Sequence, residues 1–155
     1  MKIGAAMKRD VVSLSVNATL EQAIYLIVER HVGLLPLVDG ENKLRGVIGL
    51  RDLLGLAWPR IIEMIANFDF IQDFGVLEQG EFSEELRSKP VSEIMAETIS
   101  VEEDCGLLRA AAFMSRHQLR DLPVVDAQGR LVGLASWVDV GTAFLANWCL
   151  SERDQ

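Results

Sequence analysis

The chain has 155 residues, half of them apolar but only 6% aromatic, and a formal net charge of −8. That length suits one compact domain or two very small repeats sharing a core, and the aliphatic content suits mixed α/β packing better than an aromatic-rich sandwich. An acidic surface is repelled by phosphate backbones, which argues against a nucleic-acid partner, while a local arginine or a helix start could still hold a single phosphate group.

Residues 1–5 contain no apolar core followed by a cleavage site, and no run approaches the length of a membrane span, so the chain reads as soluble and cytoplasmic. A short strand is expected at 11–14. A helix follows near 19–30, with Leu20, Ala23, Ile24, Ile27 and Val28 on one face and Thr19 placed to cap it. The run Leu35-Pro36-Leu37-Val38-Asp39 reads as a strand opened by proline, which is tolerated at a strand's first position. Gly40-Glu41-Asn42 reads as a hairpin turn, 44–48 as the return strand, and a helix starts near Leu50.

The segment 57–92 then reads as a helical insertion. Ile61, Ile62, Met64, Ile65, Phe68 and Ile71 recur at largely helical spacing, Phe70 and Phe74 widen the stripe, and 78–89 is polar and loop-like. The apolar stripe is expected to form core or a self-association face. Next come a strand at 98–101, a helix near 106–117 with Glu103 or Asp104 as cap or first-turn acid, and Leu122-Pro123-Val124-Val125-Asp126. A turn at Ala127-Gln128-Gly129, a return strand at 131–135 and a final helix from Trp137 complete the chain. Cys105 and Cys149 have no metal-like spacing and read as buried thiols in a reducing compartment. His31 and His117 read as residues at helix ends rather than metal ligands.

The order β-α-β-β-α therefore occurs twice, and the two copies align. A shift of 87 residues lays positions 12–54 over 99–141 without a gap, and ten of the 43 pairs are identical, among them Pro36/Pro123, Asp39/Asp126, Gly46/Gly133 and Asp52/Asp139. The division that follows is repeat 1 at 1–56, the insertion at 57–92, and repeat 2 with a C-terminal helix at 93–155.

These residues resemble the CBS-domain (cystathionine-β-synthase-type) family. Its pattern is a strand, a helix, an apolar-Pro-Val-Val-Asp strand, a turn, and Gly-apolar-apolar-Ser/Thr-x-x-Asp opening the last helix. Here that last motif reads Gly46-Val47-Ile48-Gly49-Leu50-Arg51-Asp52 and Gly133-Leu134-Ala135-Ser136-Trp137-Val138-Asp139, with Met7 and Met95 at the heads of the copies. The resemblance covers about residues 3–56 and 91–145. It implies a Bateman module: an α/β (α+β) fold of two repeats packed sheet to sheet with pseudo-twofold symmetry, leaving two clefts. In this family such clefts often bind adenine nucleotides or adenosyl compounds to regulate a partner.

Carried over, the resemblance assigns ribose hydroxyls to Asp139 and Asp52 and phosphate to Ser136. Ile99, Ser100, Asp121 and Leu122 would line the base in copy two, and Val12, Ser13, Leu34 and Leu35 in copy one. Arg120 and Arg51 lie near the clefts and are either surface charges or phosphate contacts. Gly49 stands where the family has Ser or Thr, which puts the phosphate contact of copy one in doubt. Simpler roles exist for the same residues: first-turn acids for Asp52 and Asp139, and an N-cap for Ser136.

No nucleophile elbow, zinc-binding H-E-x-x-H or Walker-type loop is present in the sequence. The expected function is a non-enzymatic, ligand-sensing regulatory module. It would take AMP, ADP, ATP or an adenosyl compound as regulatory ligand, need no other cofactor or metal, and work as a homodimer on an unknown protein partner. The rival reading is a purely structural homodimerisation module with vestigial clefts.

Overall fold

The computed structural model describes residues 1–57 and 82–149. Two three-stranded sheets run in the order β1-β2-β3 and β4-β5-β6. The first half comprises β1 (Leu14–Ser15), α1 (Leu20–Arg30), β2 (Leu34–Val38), β3 (Leu44–Gly49) and α2 (Leu50–Ala57). After α3 (Glu84–Ser88), the second half repeats the order with β4 (Val101–Glu102), α4 (Leu107–Arg116), β5 (Asp121–Val125), β6 (Leu131–Ser136) and α5 (Trp137–Cys149). Both halves are α+β, and their contacts recur in pairs about a pseudo-twofold relation.

Several expectations shift. Each proline is the third residue of its strand, not the first. Pro36 lies opposite Val47, whose N–H and C=O bond outward to Ala96, so this is a non-hydrogen-bonded pair and the proline nitrogen faces β1. A proline offers no N–H there, and β1 pairs only from Leu37 onward. This is why the first strands are two residues long and begin at Leu14 and Val101 rather than at 11 and 98.

Within 78–89, expected to be loop, residues 84–88 are helical. Ser83 caps them by accepting from the Leu86 N–H at 3.2 Å, two glutamates occupy the first turn, and Leu86 packs on the first core. Thr19 caps α1 in a full capping box with Gln22. Gly106, with no side-chain cap, stands at the start of α4, while Glu103 pairs with Arg9 and Asp104 with Lys2. Cys105 is half-buried and Cys149 exposed, contrary to the buried thiols expected. The stripe from Ile61 to Phe74 lies outside the described residues.

Two cores form, and each borrows from the chain ahead of the other copy. The first holds Leu20, Ala23, Ile27, Leu35, Leu37, Ile48 and Leu53, and it also takes Val91. The second holds Leu107, Ala110, Met114, Leu122, Val124, Ala135 and Val140, and it also takes Ile3 and Met7. Residues 2–8 run along the second half, bridging Lys2 to Gly106 and Lys8 to Leu134, while Ala96 bridges to Val47 of the first. The hairpin tips join as well: Leu44 N–H donates to Gly129 O at 3.1 Å and Leu131 N–H to Asn42 O at 2.9 Å. Asn42 and Gly129 hold φ of 63° and 78°, the left-handed region that Gly and Asn adopt most cheaply. Among the described residues, no helix is long and apolar enough to cross a membrane.

Candidate functional site

Each half ends a strand and starts a helix with no intervening loop, and the candidate acids sit at this joint. At the β6–α5 joint the Ser136 N–H donates to Asp139 Oδ2 at 2.8 Å and the Ser136 hydroxyl to the same oxygen at 2.6 Å. The Asp139 N–H returns a bond to Ser136 Oγ at 3.2 Å, so the two residues form a capping box that quiets orphan donors at the helix start. The capping role is thus real for both. It leaves Asp139 Oδ1, which lies 3.8 Å from Lys8 Nζ, and the carboxylate is held 14% exposed.

At the β3–α2 joint only half of this box exists. The Gly49 N–H donates to Asp52 Oδ2 at 2.8 Å, and no hydroxyl is present to answer it.

A cavity of about 240 Å³ opens between the halves. Val11, Val12, His31, Val32, Gly33 and Leu34 line it from the first half, Asp121 and Leu134 from the second, and Lys8 and Asp10 from the segment that joins them. His31 sits there as the left-handed cap of α1 (φ 53°), with Nδ1 3.0 Å from Val28 O. Burial pushes the Asp121 carboxyl above the usual carboxylate range; the Asp139 charge adds to this, and Lys8 and Arg120 pull the other way. Asp121, Asp139 and Lys8 therefore form one electrostatic group, of which Asp121 and Lys8 line the cavity.

The expected lining divides on inspection. Asp121, Val12 and Leu34 meet in this one cavity, so residues assigned to different copies share a wall. Leu35 and Leu122 are fully buried in their cores and line none of these hollows. Ser100 opens instead on a separate hollow of about 340 Å³ beside Glu102, Asp104, Cys105, Arg109 and Phe113. Ile99 packs against the second core, Ser13 is half-buried, and Arg120 and Asp52 are exposed. A wider, open hollow of about 760 Å³ on the outer face of α1 touches neither Asp52 nor Asp139.

Lys8, Asp10, His31 and Gly33 were not anticipated as lining residues. Met7 and Met95 are 88 apart rather than 87, so the segment ahead of each copy follows its own register, but nothing in that offset points to Lys8.

The family model for the CBS domain matches residues 3–58 and 91–145. The chain is a CBS-domain protein. It carries two such domains in tandem, and proteins of this kind are typically regulatory modules. The CBS domain-containing protein YhcV of Bacillus subtilis is 28% identical over 142 residues, covering 91% of this chain and 84% of that protein. Among solved structures, CBSX2 in complex with AMP matches at 26% identity with a TM-score of 0.69, covering 93% of this chain and 96% of that one. Protein MJ1004 of Methanocaldococcus jannaschii matches at 25% identity with a TM-score of 0.71; this chain is covered to 95% but spans only 60% of that structure.

Proposed function

We propose that this CBS pair senses an adenine nucleotide or adenosyl compound in the cleft between its repeats and passes that signal to a protein partner. The observation that carries the reading is the Asp139 carboxylate. One oxygen is fixed by the Ser136 cap, and the other stands beside Lys8 of the cavity wall. A positioned carboxylate can accept hydrogen bonds from a vicinal diol, which is how a ribose is held. The AMP bound to CBSX2 supports an adenosine ligand for this fold.

Calorimetry and thermal shift of the full chain against AMP, ADP, ATP and adenosyl compounds test the reading. A ligand at 100 times its dissociation constant stabilises the folded state by about 2.7 kcal/mol. Absence of binding by all of them at millimolar concentration would leave the structural dimerisation reading, which Gly49 favours for the first copy.

The module itself performs no turnover on this reading. AMP, ATP and adenosyl compounds incubated with it return unchanged, and hydrolysis that survives repurification and scales with protein would overturn that. It works as a homodimer in which the apolar stripe of 61–74 takes part, so Phe68→Glu yields folded monomers in sedimentation. A native chain that sediments as a monomer at micromolar concentration removes this part of the reading.

A further inference from the structure

We infer that the cleft selects an adenosine derivative whose 5′ substituent is uncharged or cationic over one that carries a 5′ phosphate. This rests on the reading of the cleft as an adenosine site and narrows it.

The first ground is the fate of the donors a phosphate would use. A helix start offers free N–H groups to an anion, and at α5 most of these are spent. The Ser136 N–H and hydroxyl both go to Asp139 Oδ2, and the Asp139 N–H goes to Ser136 Oγ. The Trp137 N–H donates to Arg120 O at 3.1 Å. The start of α2 keeps part of the arrangement, with the Gly49 N–H on Asp52 Oδ2 and the Leu50 N–H on Gly33 O at 3.0 Å. A phosphate arriving at either joint meets a carboxylate already seated on the donors.

The second ground is charge. Asp10 and Asp121 line the cavity and Asp139 adjoins it. Among the described residues of that lining Lys8 is the one lysine or arginine, and its ammonium already stands 3.8 Å from Asp139 Oδ1. Arg120 interacts with Asp121 but does not line the cavity. His31 has one ring nitrogen committed to Val28 O. Two negative charges on a phosphate would therefore enter a wall that is acidic on balance, in a partly enclosed space where screening is weaker than in water. A sulfonium at the same place would be attracted.

About 240 Å³ lies just below the ~300–1,000 Å³ of ordinary ligand pockets, which suits a body the size of 5′-methylthioadenosine better than one with a triphosphate tail; between S-adenosylmethionine and AMP, size makes no choice and charge does.

Calorimetry on the full chain with 5′-methylthioadenosine, S-adenosylmethionine, AMP and ATP tests the inference. The first two bind more tightly than AMP by about tenfold or more, equivalent to about 1.4 kcal/mol. Asp121→Asn narrows that ratio by strengthening AMP. AMP or ATP binding as tightly as the methylthio compound overturns the inference while the adenosine reading stands, and so does a ratio that Asp121→Asn leaves unmoved. Failure of all four to bind removes both.

Discussion

Single atoms decide the close approach of the two segments that cross between the repeats. A Cβ built on Gly46 would lie 2.8 Å from Met95 Sδ and 2.8 Å from Ala96 O, and one on Gly133 would strike Met7 Sδ. The motif glycine is therefore required by a methionine from the segment ahead of the opposite copy, not by a turn. Gly133→Ala is expected to cost about 1–3 kcal/mol in urea unfolding through overpacking. Met7→Ala alone is expected to cost about 2–5 kcal/mol, because Met7 belongs to the second core. In the Met7→Ala background the alanine at 133 has room, so its cost falls to near zero. Additive costs in the double-mutant cycle would show that the contact is not the reason for the glycine. The same scale governs the proposed ligand site. Asp139→Ala should weaken adenosine-ligand binding by about 1.5–3 kcal/mol, the range for a charge-assisted hydrogen bond, in a variant shown to be folded by circular dichroism. Unchanged affinity in calorimetry would remove Asp139 from the site. The pairing of Ser136 with Asp139 at the helix start was legible in the sequence because their motif is contiguous. Lys8 and His31 were not, because they reach the cavity through a crossing segment and a left-handed helix cap, and neither leaves a local pattern.

Among the elements, helices and return strands could be read closely from periodicity and from the repeat: α2 and α5 start at the residues expected, Leu50 and Trp137. The first strands could not, since their length depends on which side of β2 and β5 the proline nitrogen faces, and that is a property of pairing. The hairpins carry their own chemistry. Asp39 accepts from the Glu41 and Lys43 N–H groups at 2.9 and 3.0 Å and from Arg45 Nε at 2.7 Å; Asp126 does the same with Gln128, Arg130 N–H and Arg130 Nε. The Lys43 N–H bond, helped by Arg45 and Glu41 N–H, holds the Asp39 carboxyl below the usual range. At Asp126 burial works the other way but the bonds from Arg130 and Gln128 outweigh it. A depressed folded pKa contributes stability that is present above the unfolded value and lost as pH falls through the folded one. Melting temperature should therefore drop on acidification below about pH 4, and Asp39→Asn and Asp126→Asn should each flatten that limb. Asp121 acts with the opposite sign. Its raised carboxyl favours the fold at low pH and loses that contribution as pH rises through its folded value, so Asp121→Asn should raise the neutral-pH melting temperature relative to the native chain. An acid limb unchanged in the two hairpin variants would mean that these turns do not sense pH.

For the molecule as a whole, the exchange of segments makes two repeats into one folding unit. Ile3 is fully buried in the second core although it stands at the head of the first CBS match, and Val91 is fully buried in the first although it stands at the head of the second. Backbone bonds tie both exchanges down: Ile3 N–H to Cys105 O and Val91 N–H to Ala18 O, each at 2.8 Å, and Leu107 N–H to Met1 O at 3.0 Å. The hairpin tips add a third link through Asn42 and Gly129. Neither half can complete its core without chain that is covalently continuous with the other, so opening one half pulls a side chain or a strand edge out of its neighbour. Two independent small domains would behave differently, since each would unfold at its own free energy. Ile3→Ala separates the cases. It removes about 2–5 kcal/mol of burial and packing from the second core, more than 80 residues away in sequence from the strands and helices it packs on. In native-state hydrogen exchange the variant should lose protection by the same free energy in β2 and β3 as in β5 and β6, and urea unfolding should remain a single transition at a lower midpoint. Protection lost in β5 and β6 alone, with β2 and β3 at native values, would show that the halves unfold separately and that the crossing segments join them without coupling their stability.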